Sequence, residues 1–193
     1  VELPGDEPDH DPDSAELARL GKAITGLPPS TAHRVELLVD GHATYSALIE
    51  AVRGARHHVH LEYYIYQPDQ TGRALRDALV ERARAGVTVR VLLDAVGSSK
   101  TPSSFFRELT EAGGELSWFH PMHFGRVWER PWLNLRTHRK IVVVDGCIGF
   151  AGGINITDEE NESLRADAYR DLHLRLDGDV VRSLQLVFAE DWA

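Results

Sequence analysis

Cysteine is almost missing from this chain of 193 residues, and Cys147 alone cannot form an intramolecular disulfide or a cysteine-ligated zinc finger. With Gly146 before it and Ile148 to Phe150 after it, Cys147 is expected on a buried strand as an inert packing thiol. Long hydrophobic runs are also missing. A membrane-spanning helix needs about 20 apolar residues, and the longest apolar stretches here, residues 87–94 and 141–144, are strand-sized. The N-terminus has no basic, then apolar, signal-peptide pattern. A membrane anchor upstream of Val1 is compatible with all of this. Basic excess is absent too. The net charge is -9, and the acids Glu2, Asp6, Glu7, Asp9, Asp11 and Asp13 supply most of it. Proteins that grip nucleic acid nonspecifically do so by neutralising phosphates with Lys and Arg, so no nucleic-acid partner is expected.

What remains is an ordinary globular composition, 42% hydrophobic and 26% charged, enough for one buried domain. Residues 1–32 read as an acidic disordered leader followed by a short helix over 14–25, stopped by Gly26 and Pro28-Pro29. Residues 33–193 read as the folded domain. Within it, strands are expected at 35–39, 58–66, 87–94, 115–119, 141–144, 147–151 and 171–176. Helices are expected at 43–53, 73–85, 102–112 and 180–192. Asp145-Gly146 between two strands is a hairpin signal. The alternation predicts an α/β fold, a mixed central β-sheet sandwiched between helices.

The chemistry concentrates in Arg136-Thr137-His138-Arg139-Lys140 and the strand that follows. Side chains alternate along an extended chain, so His138 and Lys140 project together and Arg139 projects away. A neutral imidazole can attack phosphorus while an ammonium neutralises the non-bridging oxygens. Asp145 has the opposite parity and sits at a turn, which gives it a structural role. Downstream, Gly152 and Gly153 let backbone N–H groups approach an anion, and Asn155 can donate a further hydrogen bond. Glu62 and Asp94, acids on apolar strands, point either to a substrate cleft or to neighbouring loops; Arg136 is a further cleft candidate. His58 and His60 share a strand face without an identifiable third ligand, so packing is favoured over metal binding.

His138-x-Lys140-x4-Asp145 followed by Gly152-Gly153-x-Asn155 resembles the signature of the phospholipase D superfamily. Leu37-Leu38-Val39-Asp40-Gly41, His60-Leu61-Glu62-Tyr63-Tyr64-Ile65, Gly86 to Asp94, Gly97-Ser98, Tyr169-Arg170-Asp171-Leu172-His173 and Phe188 to Trp192 narrow the resemblance to bacterial cardiolipin synthases. Tyr169 departs from an expected tryptophan, and Leu135 from a common aromatic. The larger departure is that this branch carries two copies of the motif, and here there is one.

The resemblance implies an enzyme, a phosphatidyl transferase working through a phosphohistidine, with His138 as one of two histidines and Asp171 as the acid that orients it. It implies no metal and no cofactor. The implied donor is an anionic phospholipid, phosphatidylglycerol, at a membrane surface. The implied location is the cytoplasmic face of the bacterial cell membrane, with this fragment itself soluble. The implied partner is a second motif-bearing half, in the same chain or by homodimerisation, docking on exposed apolar surface. Residues 118–136 interleave aromatics with Arg126, Arg130 and Arg136. That segment suits an anionic lipid interface and equally suits a loop tucking aromatics into the domain. Two other functional readings stand beside the transferase: a homodimeric nuclease or hydrolytic phospholipase, and an inactive fragment that binds lipid or phosphate.

Overall fold

A computed structural model describes residues 12–26, 29–119 and 136–193. The acidic leader before residue 12 and most of the aromatic and basic segment lie outside the described residues. Helix α1 spans Pro12–Thr25. The domain then runs β1 (Arg34–Val39), α2 (Asp40–Gly54), β2 (His58–Tyr63), α3 (Gln70–Arg84) and β3 (Thr88–Asp94). A 3-10 turn, Ser103–Phe106, leads into α4 (Arg107–Glu111) and β4 (Glu115–Phe119). The hairpin β5 (Lys140–Val144) and β6 (Ile148–Gly152) follows, then β7 (Leu172–Asp177) and α5 (Val180–Trp192).

The described strands form one sheet in the order β1-β7-β6-β5-β2-β3-β4. The β2–β3 and β3–β4 pairs are parallel, linked by helical crossovers; β5 joins β2 antiparallel, and the rest of that side is antiparallel. This is the mixed α/β sheet expected from the alternation of elements. One face is covered by α2 and α3, whose Leu48, Val52, Leu75 and Leu79 meet Val59, Leu61, Val89, Val91, Val142 and Phe150. The other face is covered by α5, where Val181 packs on Ile141 and Val143.

Three local departures from the sequence expectation have physical reasons. The strand over 58–66 ends at Tyr63, because the next residues pair with another segment: Ile156 N–H donates to Ile65 O and Gln67 N–H to Ile156 O. The helix over 102–112 splits, since its start has two serines of modest helix propensity and no side-chain cap. Cys147 is exposed rather than buried. Asp145 and Gly146 adopt φ of 53° and 68°, both central positions of a tight primed hairpin turn, so Cys147 still belongs to the turn and β6 begins at Ile148.

Candidate active site

The site assembles on the α2/α3 face, at the start of β5. Lys140 is in register with Tyr63 on β2, and Ile141 with Glu62. The alternation therefore sends Lys140 to one face of the sheet and Glu62 to the other. His138 stands exposed in the extended lead-in to β5, its ring stacked on Tyr64 with centroids 4.0 Å apart and an angle of 22°. Lys140 Nζ lies 5.5 Å from the centre of the same Tyr64 ring and donates to His138 O at 2.8 Å. One tyrosine thus gathers the imidazole and the ammonium. Burial lowers the Lys140 pKa, and the carboxylates of Glu160 and Asp171 oppose that shift.

Asn155 is nearly buried at 9% exposure, and its amide is fixed at both ends. Nδ2 donates to Glu160 Oε1 at 2.7 Å, Oδ1 accepts Ile65 N–H at 3.3 Å, and Asn155 N–H donates to Glu160 Oε2 at 2.7 Å. Tyr45 from α2 donates its hydroxyl to Asn155 O at 2.6 Å, pinning the same backbone from beneath. One Nδ2 hydrogen remains for a ligand.

The two glycines lie tight against their neighbours. A Cβ on Gly153 would lie 2.3 Å from both carboxylate oxygens of Asp171, and one on Gly152 would lie 2.7 Å from His173 Nδ1. Gly153 N–H donates to Leu172 O at 2.9 Å. The glycines therefore make room for Asp171 and His173. Asp171 Oδ1 accepts Leu172 N–H at 2.7 Å, and its backbone is gripped by Asp40, which donates N–H to Asp171 O at 2.9 Å and accepts Asp171 N–H at 3.3 Å. The structure does not bring the Asp171 carboxylate into a hydrogen bond with His138; its charge opposes the burial shifts at Lys140 and His173.

Asp145 accepts three backbone N–H groups, from Arg56, His57 and His58, at 2.8, 2.7 and 2.9 Å. Asp94 is fully buried and caps its own turn, taking Val96 and Gly97 N–H at 2.9 Å each. That turn buttresses Tyr64: Ser98 Oγ donates to Tyr64 O at 3.0 Å, and Gly97 leaves no room for a Cβ beside the Tyr64 ring. Arg136 is half-buried, directly before Thr137. His58 and His60 both contact Gln185 Oε1 from α5, at 3.2 and 3.1 Å.

Sequence reasoning assigned no role to Tyr64, Glu160 or Tyr45, and gave Asp40 only a turn with Gly41. Glu160 lies in an acidic run, Asp158-Glu159-Glu160, and no spacing rule links it to Asn155. Asp40 carried a signal: an Asp-Gly pair between a strand and a helix, where the structure gives Asp40 a φ of 64°.

Among the described residues no helix is long and apolar enough to cross a membrane. Residues 48–192 match the family described as the cardiolipin synthase, phospholipase D-like domain. The chain is 43% identical over 180 residues to a cardiolipin synthase of Alkalihalophilus pseudofirmus, covering 91% of this chain and 35% of that protein. It is 39% identical to cardiolipin synthase 1 of Bacillus anthracis, again covering 35% of the relative. It thus spans about a third of the length of these curated relatives. Among solved structures it resembles Nuc of Salmonella typhimurium, a phospholipase D family member, at a TM-score of 0.62 and 15% identity, covering 82% of this chain and 93% of that one. Phosphatidylserine synthase of Haemophilus influenzae matches at a TM-score of 0.61 and 14% identity, covering 86% of this chain and 39% of that one. The chain belongs to the cardiolipin synthase, phospholipase D-like domain family.

Proposed function

We propose that this domain supplies one of two half-sites of a phosphatidyl transferase of the cardiolipin synthase type. The observation that carries the reading is the grouping of His138, Lys140 and Asn155 around Tyr64 and Glu160 on one face of the sheet. In this reading one imidazole, from His138 or its counterpart in the other half, attacks the donor phosphorus. The new P–N bond forms as the P–O bond to the departing glycerol breaks, and the second histidine gives that oxygen its proton. The acceptor hydroxyl then yields its proton to the same histidine and attacks phosphorus, breaking the P–N bond. Lys140 neutralises charge on the phosphate oxygens, and the second Asn155 Nδ2–H donates a hydrogen bond to one of them. The donor is phosphatidylglycerol at the membrane surface, on its cytoplasmic side.

The second half docks beside Asp171. Val39 and Leu172, paired across β1 and β7, are 41% and 49% exposed, and Tyr169 is 70% exposed, an apolar rim that supports a partner there. A homodimeric phosphodiesterase is the second reading, favoured by the coverage of 93% of the solved Nuc chain, which shows that one domain of this size can make a chain by itself.

The test is to incubate the complete protein with phosphatidylglycerol and separate the products. Cardiolipin formation, reduced below a few per cent by His138→Ala, is the expected result. Phosphatidic acid alone rejects the synthase assignment in favour of hydrolysis.

A further inference from the structure

Both neighbours of His138 turn away from the phosphate side and converge on one buried carboxyl. Thr137, 4% exposed, donates its hydroxyl to Glu62 Oε1 at 2.5 Å. The same hydroxyl oxygen lies 3.4 Å from the Arg139 N–H that it accepts. The Arg139 guanidinium pairs with Asp191 near the end of α5 and stands 3.9 Å from the same Glu62 oxygen. Glu62 is fully buried, on the face covered by α5, opposite Lys140.

A carboxyl in that position is costly unless it is paired or protonated. Burial pushes Glu62 up to about 7; the Thr137 hydroxyl pulls against this, while the Asp191 carboxyl adds to it and Arg139 opposes it. Other charged groups on this face are held elsewhere: Asp94 accepts the N–H groups of Val96 and Gly97. His60 is bonded to Gln185, and Arg90 lies over the Trp192 ring and pairs with Glu115. An apolar side chain would fill the same space without the desolvation cost, so packing alone gives no reason for a carboxyl here.

We propose that Glu62 is a positioning residue for His138, holding Thr137 directly and Arg139 together with Asp191 from the far face of the sheet. The peptide on each side of the imidazole is then held, which favours the ring position stacked on Tyr64. The clamp also ties the C-terminal end of α5 to the catalytic strand. It rests on the assignment of His138 to the reacting centre. The part that concerns the position of the ring does not depend on which substrate is used.

The experiment uses the complete protein with Thr137→Val, Thr137→Ser, Glu62→Gln and Asp191→Asn, read in two ways. In steady-state turnover of phosphatidylglycerol, Thr137→Val is expected to lower kcat 10- to 100-fold with KM within about twofold and the melting temperature within a few degrees. Thr137→Ser, which restores the hydroxyl, is expected to recover most of that loss. In 13C-histidine NMR, with the His138 ring signal assigned by His138→Gln, Thr137→Val is expected to shift or broaden that signal, and Thr137→Ser to return it. An unmoved ring signal in Thr137→Val overturns the clamp even in a protein that transfers no lipid, and absent turnover with a moved signal overturns only the substrate reading. Activity losses that merely follow the melting temperature, or a serine variant no better than the valine, also overturn the clamp. If Glu62→Gln or Asp191→Asn does not fold, the Thr137 pair decides the question.

Discussion

The carboxylate of Glu160 bridges two nitrogens of Asn155, taking the backbone N–H at one oxygen and Nδ2–H at the other, each at 2.7 Å. This bridge decides which way the Asn155 amide faces, because its oxygen is simultaneously bound to Ile65 N–H. Glu160 also supplies the larger of the two negative charges that oppose the burial shift at Lys140. Glu160→Gln is therefore expected to cost about 1.5–3 kcal/mol of transition-state stabilisation, roughly 10- to 100-fold in kcat. Removing that charge lowers the Lys140 pKa further, so the alkaline limb of the pH–rate profile should move to lower pH. A profile unchanged in Glu160→Gln rejects the charge coupling.

The tightly packed glycines rank by what a methyl group would meet. At Gly41 a Cβ would fall 1.8 Å from the Glu160 carbonyl oxygen, a collision with backbone. At Gly153 it would fall 2.3 Å from the Asp171 carboxylate, a side chain that can swing aside. Gly41→Ala is expected to destabilise by about 3 kcal/mol or more, and Gly153→Ala by about 1–3 kcal/mol with Asp171 displaced from beside Lys140. Gly54, with open space around it, should tolerate Ala with no loss. Chemical denaturation of the three variants checks the order.

Asp145 is expected to matter for stability and to touch no substrate. Burial raises its pKa, but hydrogen bonds from the His58, Arg56 and His57 N–H groups outweigh that and leave it below the usual carboxylate range. A depressed carboxylate contributes stability that is present above its unfolded pKa of about 4 and is lost as pH falls further. Asp145→Ala leaves three N–H groups without their acceptor and should cost about 2–4 kcal/mol. Asn, which retains one acceptor oxygen and tolerates the positive φ, should cost less. In both variants the activity per folded molecule should be unchanged, measurable by comparing turnover with the folded fraction.

His173 and His60 predict sensitivity to acid. Burial takes both down to about 4, with the Lys140 charge adding to the shift at His173 and His58 adding to it at His60. Since the folded value lies below the unfolded one, near 6.5, the unfolded chain binds protons first as pH drops. Stability should be full above about pH 6.5 and fall toward pH 4, by at most about 3 kcal/mol for each histidine. Thermal melts from pH 7 to pH 4 should show this decline, and His173→Gln should flatten part of it. A melting temperature flat over that range contradicts the assignment.

Much of the fold was written locally. Apolar alternation, Gly stops and the Asp145-Gly146 pair placed the strands and helices to within a few residues, because each depends on nearest neighbours along the chain. The same parity argument put His138 and Lys140 on one side and Arg139 on the other, and the structure has Arg139 paired with Asp191 away from Lys140. Local pattern failed at Cys147, where the turn extends one residue further than the apolar neighbours suggest.

The sequence by itself determined the family and singled out the side chains proposed to react, since a short motif with fixed spacing carries that signal. Only the tertiary structure decided what holds them: Tyr64 beneath His138, Glu160 on Asn155, Asp40 around Asp171, and Glu62 bound to Thr137 on the face opposite Lys140. Strand register and sheet order set those pairings. They join residues from about 5 to more than 100 positions apart, and no periodicity along the chain encodes which buried acid will meet which donor.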